Sequence, residues 1–197
     1  MKRIYYFVML TALLVSACSP AAPAVPEQTI SEALTPDETV SISITSSAFA
    51  EGQPIPPIHA CTGDAASSLK DVSPELSWSE PPAGTQSFAL VMDDLDSPGG
   101  IWVHWVIFNI PASARGLPES MPANDILSDG SMNGNNSWGR TGYGGPCPPS
   151  GTHRYVFKIY ALDEVLGISA GANKGELEKA MVGHILAQGE LSGTFTR

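Results

Sequence analysis

Three carboxylates, Asp93, Asp94 and Asp96, fall within four positions of this chain. Pro98, Gly99 and Gly100 then force a turn, and His104 follows between Trp102 and Trp105. A second histidine and a phenol, His153 and Tyr155, stand further on, close to Ser150. Imidazole and phenol groups can hydrogen-bond an anion, with a carboxylate setting the imidazole tautomer. Asp94, Asp96, His104 and His153 could instead ligate a metal, although no HxH, HxxxH or CxxC spacing supports this. A Ser/His/Asp hydrolase is a third reading, but no G-x-S-x-G elbow is present. Sequence spacing alone does not bring His104 and His153 together.

The elements that must position these groups read as strands. Phe88–Met92 is an apolar run that leads into the acidic turn, and Trp102–Ile110 is rich in aromatic and β-branched residues. Strict alternation puts Trp102, His104 and Val106 on one face of this second strand, and Val103, Trp105 and Ile107 on the other. Residues 39–46 alternate as a half-buried strand with Val40, Ile42 and Ile44 on its apolar face. Further strands are expected at 73–78, 153–162 and 185–196. Residues 121–150, mostly Gly, Asn, Ser and Pro, read as one long functional loop, since Trp138, Arg140 and Tyr143 argue against disorder. The best helix candidate is 173–181, with Asn173 as N-cap and Glu176 as its capping-box partner. Short strands with Gly/Pro turns favour a β-sandwich or barrel.

Charged residues make up only 15% of the chain, and its formal net charge is −10. Such a surface excludes a nucleic-acid binder, because phosphate contacts need Lys and Arg. The N-terminus begins with Lys2 and Arg3, continues with the apolar run 4–15 and reaches Val15-Ser16-Ala17-Cys18, which resembles a bacterial lipobox. Residues 1–17 are therefore expected to be a lipoprotein signal peptide, with Cys18 the lipidated first residue of the mature chain. Residues 18–38, with four prolines and no apolar periodicity, read as a tether, and 39–197 as the folded domain. In an exported protein the remaining pair, Cys61 and Cys147, reads as a disulfide, with roughly 4–5 kcal/mol as the ceiling of its entropic contribution.

Taken together, Asp94-Leu-Asp96-Ser-Pro98, Trp102-Val-His104, Gly142-Tyr-Gly-Gly-Pro-Cys-Pro-Pro149 and Gly151-Thr-His153-Arg-Tyr155 resemble the signature segments of the phosphatidylethanolamine-binding protein family. That family includes the Raf kinase inhibitor proteins, and this chain is similar to its bacterial and archaeal branch from about residue 39 to 197. The resemblance implies a two-sheet antiparallel β-sandwich with a short helix near the C-terminus. It also implies a small anion pocket lined by Asp94, Trp102, His104, Pro148, Pro149, His153 and Tyr155, with no cofactor, no metal and no catalysis. In that pocket His104 would donate to the anion while Asp94 orients and polarises it. The eukaryotic C-terminal extension has no counterpart here, so specificity for a lipid headgroup or a kinase surface does not carry over.

The expected protein is a lipid-anchored component of the bacterial cell envelope, facing the periplasm or exterior. It would bind a small phosphate-like or carboxylate anion and touch the membrane through Cys18. Inhibition of an envelope protein by direct contact is the alternative partner reading. Mass spectrometry of the membrane fraction should find a mature N-terminus at a lipid-modified Cys18; any other N-terminus overturns the lipobox reading.

Overall fold

The computed structural model describes residues 40–61 and 71–197. The expected signal peptide, the tether and Cys18 lie outside the described residues. The described chain forms two sheets and a helix. The strands are β1 (Val40–Ser41), β2 (Ile44–Thr45), β3 (Leu76–Trp78), β4 (Ser87–Asp94), β5 (Trp102–Pro111), β6 (Gly116–Leu117), β7 (Met132–Asn135), β8 (Thr152–Leu162), β9 (Gly171–Asn173) and β10 (Ile185–Thr196), with helix α1 at Lys174–Met181. One sheet has seven strands in the order β1-β10-β8-β4-β5-β7-β9, and the other has three, β2-β3-β6. The pairings are antiparallel except at the two edges of the large sheet, where β1 runs parallel to β10 and β9 to β7.

Period-2 alternation buries a different set of residues on each face of the large sheet. Phe88, Leu90, Met92, Trp105, Ile107, Phe157 and Ile159 pack toward the small sheet, where Ile44, Leu76, Trp78 and Leu117 meet them. Ala89, Val91, Val106 and Phe108 fill the opposite face beneath Leu177 and Met181 of α1. The helix starts as its sequence dictates. The Asn173 side chain accepts from the Glu176 N–H, and the Glu176 carboxylate accepts from the Asn173 N–H.

Three expectations change. The stretch 39–46 is not one strand: β1 joins the large sheet, Ile42 crosses buried between the layers, and β2 joins the small sheet. Val40 is consequently 43% exposed rather than on the apolar face. The loop 121–150 contains β7, whose Met-Asn-Gly-Asn sequence has no strand propensity of its own. Asn133 makes that strand possible. It accepts from the Trp105 indole at 3.1 Å and donates to the Pro122 and Asn124 carbonyls at 3.0 and 2.8 Å. The third change concerns β5. Met92 pairs with Trp105 but Asp93 with Val103, which leaves His104 as the extra residue of a β-bulge. Trp105 and Ile107 therefore join the inter-sheet core, and Val103 and Val106 go to the helix side, against strict alternation.

Asp93 and Asp94, adjacent in sequence, end β4 on opposite faces. Asp93 is fully buried on the helix side and receives the Lys174 ammonium at 2.6 Å. Burial raises its pKa, with Lys174 opposing the shift. Its Oδ1 finds no partner among the described residues. Lys174→Met would leave the carboxylate buried and unpaired and is expected to cost about 3–5 kcal/mol. Urea unfolding measures this. The deficit should narrow as pH falls, because a protonated Asp93 no longer carries the buried charge; a variant as stable as wild type at neutral pH would refute the pairing.

Candidate functional site

Asp94 closes the inter-sheet column Phe88, Leu90, Met92 and lies opposite Trp102 on β5 and Tyr155 on β8. His153, two residues from Tyr155, shares its face of β8, and the bulge turns His104 toward the same place. The Asp94 Oδ1 accepts from the Asp96 N–H at 2.9 Å, which fixes the start of the turn. Its Oδ2 accepts from His153 Nδ1 at 2.7 Å, with both side chains buried.

His104 is tied elsewhere. Its Nδ1 donates to the Gly144 carbonyl at 2.7 Å, and the Gly144 N–H donates back to the His104 carbonyl at 2.9 Å. The expected Asp94–His104 pairing is thus replaced by Asp94–His153. The register explains why. Asp94 sits opposite Tyr155 on β8, within reach of His153, whereas the bulged His104 faces the loop that contains Gly144. Burial holds the His104 pKa down, against the Gly144 carbonyl and the Asp94 charge.

Carbonyl and carboxylate oxygens only accept, so both Nδ1 atoms carry hydrogen and both Nε2 atoms are bare in the neutral rings. Neither Nε2 has a hydrogen-bond partner among the described residues. The Tyr155 ring packs edge-to-face on His104 at 5.1 Å, and its buried hydroxyl is also unpartnered among the described residues. Burial and then the Asp94 charge push that phenol's pKa well up, so it stays a neutral donor. Two unpaired imidazole nitrogens and an unpaired hydroxyl at the end of an apolar core invite a ligand with oxygens and hydrogens to share.

Trp138 completes the surround. It meets His104 edge-on at 4.9 Å and Trp102 at 5.4 Å, and both tryptophans are partly exposed. Trp138 and Gly144 were absent from the expected set. A tryptophan inside a Gly/Asn-rich stretch was the available signal for the first; no sequence signal marks a glycine as the acceptor for a histidine. Asp96, by contrast, points away. Its carboxylate accepts from Arg154 Nε and Nη2, both at 3.0 Å, and so does not converge with the histidines on a metal. Ser150 is exposed and makes no bond to His153 among the described residues.

The loop over the site is held from its far side. Cys61 and Cys147 form a disulfide with Cα atoms 5.3 Å apart, and the Cys61 N–H donates to the Pro146 carbonyl at 3.0 Å. The Tyr143 hydroxyl donates to the His59 carbonyl at 2.8 Å. The Cys147 backbone lies beside the Tyr155 hydroxyl, and Pro148, buried, and Pro149, exposed, follow it directly.

A family profile described as phosphatidylethanolamine-binding protein matches residues 45–196. A UPF0098 protein of Methanothermobacter thermautotrophicus is 46% identical over 150 residues, covering 76% of this chain and 95% of the relative. Another, from Aquifex aeolicus, is 43% identical over 159 residues, covering 79% of this chain and 89% of the relative. Among solved structures, a putative phosphatidylethanolamine-binding protein homologue from Chlamydia trachomatis is similar with TM-score 0.70 and 37% identity, covering 80% of this chain and 98% of that one. E. coli YbcL, described as a new member of the mammalian family, gives TM-score 0.71 and 30% identity, covering 80% and 99%.

The seam between the loop and residues 59–61 is testable at Gly145. A Cβ there would lie 2.6 Å from the Ala60 carbonyl carbon and 2.7 Å from the Cys61 nitrogen, and closer still to the His59 oxygen. Gly145→Ala is expected to cost roughly 1–3 kcal/mol in denaturant unfolding. Gly167→Ala, where the added methyl meets open space, should be close to neutral; equal stability of the two variants would refute the tight seam.

Proposed function

The chain belongs to the phosphatidylethanolamine-binding protein family, and on that premise we propose that it binds a small phosphate-like or carboxylate anion without transforming it. One observation carries the reading. Both imidazoles are tied through Nδ1, to Asp94 and to Gly144, so that His153 Nε2, His104 Nε2 and the Tyr155 hydroxyl remain for a ligand. Trp102, partly exposed, packs on Trp138 beside His104, and Pro148 and Pro149 bring no N–H groups of their own. The Cys61–Cys147 disulfide is in keeping with an oxidising compartment. It supports, together with the lipobox-like Cys18, a lipid-anchored protein of the cell envelope.

A second reading, regulation of an envelope protein by direct contact, draws on Ile101, Trp102 and Trp138, which are 58%, 36% and 41% exposed. Co-purification of an envelope protein that phosphate does not release would favour it.

Calorimetric titration with phosphoethanolamine tests the anion reading. A hydrogen bond to a charged group contributes about 1.5–3 kcal/mol, so His153→Ala and His104→Ala should each weaken binding roughly tenfold to a hundredfold. Unchanged affinity in both variants, with circular dichroism showing intact folds, would return these histidines to a purely structural role.

A further inference from the structure

An anion at this site meets an electrostatic contradiction. In the neutral rings, His104 Nε2 and His153 Nε2 are lone pairs, and anion oxygens are lone pairs too. The local charges do not resolve it. Asp96 is matched by Arg154, and Asp71 by Arg140 at 2.5 Å. Arg197 lies against the Cys147 sulfur at 3.7 Å. Tyr155 stays neutral. Asp94 has no matching cation among the described residues, and it accepts from the His153 imidazole.

Resting on the anion reading, we infer that binding here is coupled to proton uptake, so that the ligand is held as a protonated oxyanion, of the class of a phosphate monoester in its singly charged form. The two histidines divide the work. His153 is the ring paired with a carboxylate: Asp94 accepts from its Nδ1 at 2.7 Å, so an imidazolium at this position is charge-balanced and its Nε2–H donates to the anion. His104 is the ring that stays neutral, because it is 2% exposed and its Nδ1 is committed to a carbonyl rather than to a carboxylate. Its Nε2 accepts from a hydrogen that the ligand itself brings. Tyr155, fully buried with an unpartnered hydroxyl, donates to a third position. The site then presents two donors and one acceptor, which is the complement of an oxyanion that carries one hydroxyl. A fully ionised anion leaves His104 facing an oxygen with no hydrogen between them. The proton balance is explicit: doubly charged ester, one solvent proton and protein give the complex, with one further proton when His153 starts neutral.

Titration calorimetry of the intact protein tests this with methyl phosphate, dimethyl phosphate and inorganic sulfate. A phosphate monoester loses its second proton near pH 6. At pH 8, methyl phosphate binding should therefore take up at least one proton, read from runs in two buffers of different ionisation enthalpy. Affinity should fall about tenfold per pH unit above about pH 7 for each proton taken up. At pH 6, dimethyl phosphate carries one charge but no hydroxyl and should bind at least tenfold more weakly than methyl phosphate, as should sulfate. His104→Ala should erase most of the difference between the two esters, a result that a merely structural His104 would not give. Asp94→Asn should lower the number of protons taken up at pH 8. Buffer-independent heats with methyl phosphate, or dimethyl phosphate bound as tightly as methyl phosphate, would overturn the coupling and leave the anion reading standing. No binding of any of the three probes between pH 5 and 9 would overturn both.

Discussion

Polar groups at the end of an apolar column must find partners inside the protein, and this constraint organises the molecule. Inward-facing residues of β4, β5 and β8 are hydrocarbon until the last positions of their columns, where Asp94, His104, His153 and Tyr155 replace them. Unpaired, each would cost the desolvation of a polar group. The fold pairs most of their atoms at short range: carboxylate to imidazole, imidazole to loop carbonyl, carboxylate to the N–H of the turn. The bulge at His104 is what permits this. Without the extra residue, strict alternation would put either the ring or Trp105 out of the inter-sheet space.

The acidic run shows how one local sequence is spread over three physical tasks. Asp93 is buried with Lys174 and joins the helix to the sheet. Asp94 faces the other way and holds His153. Asp96, beyond the strand end, binds Arg154 through both side-chain oxygens and fixes the turn. The three carboxylates are thereby kept from repelling one another, since each has a donor of its own and the sheet stands between the first two.

Much of the fold was legible because hydrophobic periodicity and turn chemistry are local signals. The strands around Phe88–Met92, Trp102–Ile110 and His153–Leu162 and the Asn173/Glu176 capping box follow from them, whereas the choice of a two-sheet sandwich over a barrel came from the family resemblance. The signature segments marked the group Asp94, His104, His153 and Tyr155, which the structure brings together. What was not legible depended on register. Which carboxylate meets which imidazole turns on a one-residue bulge, and strict alternation groups Val103 with Trp105 and His104 with Val106, pairs that the bulge separates. The strand β7 was hidden because its support is tertiary: Asn133 is bonded to Trp105 and to two loop carbonyls, and nothing in Met-Asn-Gly-Asn announces that. Likewise β1 and β2 look like one strand, and only the two separate sheets divide them.

The parallel pairing of β1 with β10 carries a consequence for how the molecule is made. β10 lies between β1 and β8, so the earliest described strand has its only sheet partner in the latest one. A nascent chain that has already produced β4, β5 and β8 still cannot seat residues 40–42 or protect the open edge of β8. Closing that gap requires contacts across almost the whole domain, and non-local pairings of this kind are slow to form. Synthesis therefore has to finish before the sandwich can, and an interrupted chain presents a bare strand edge to its neighbours.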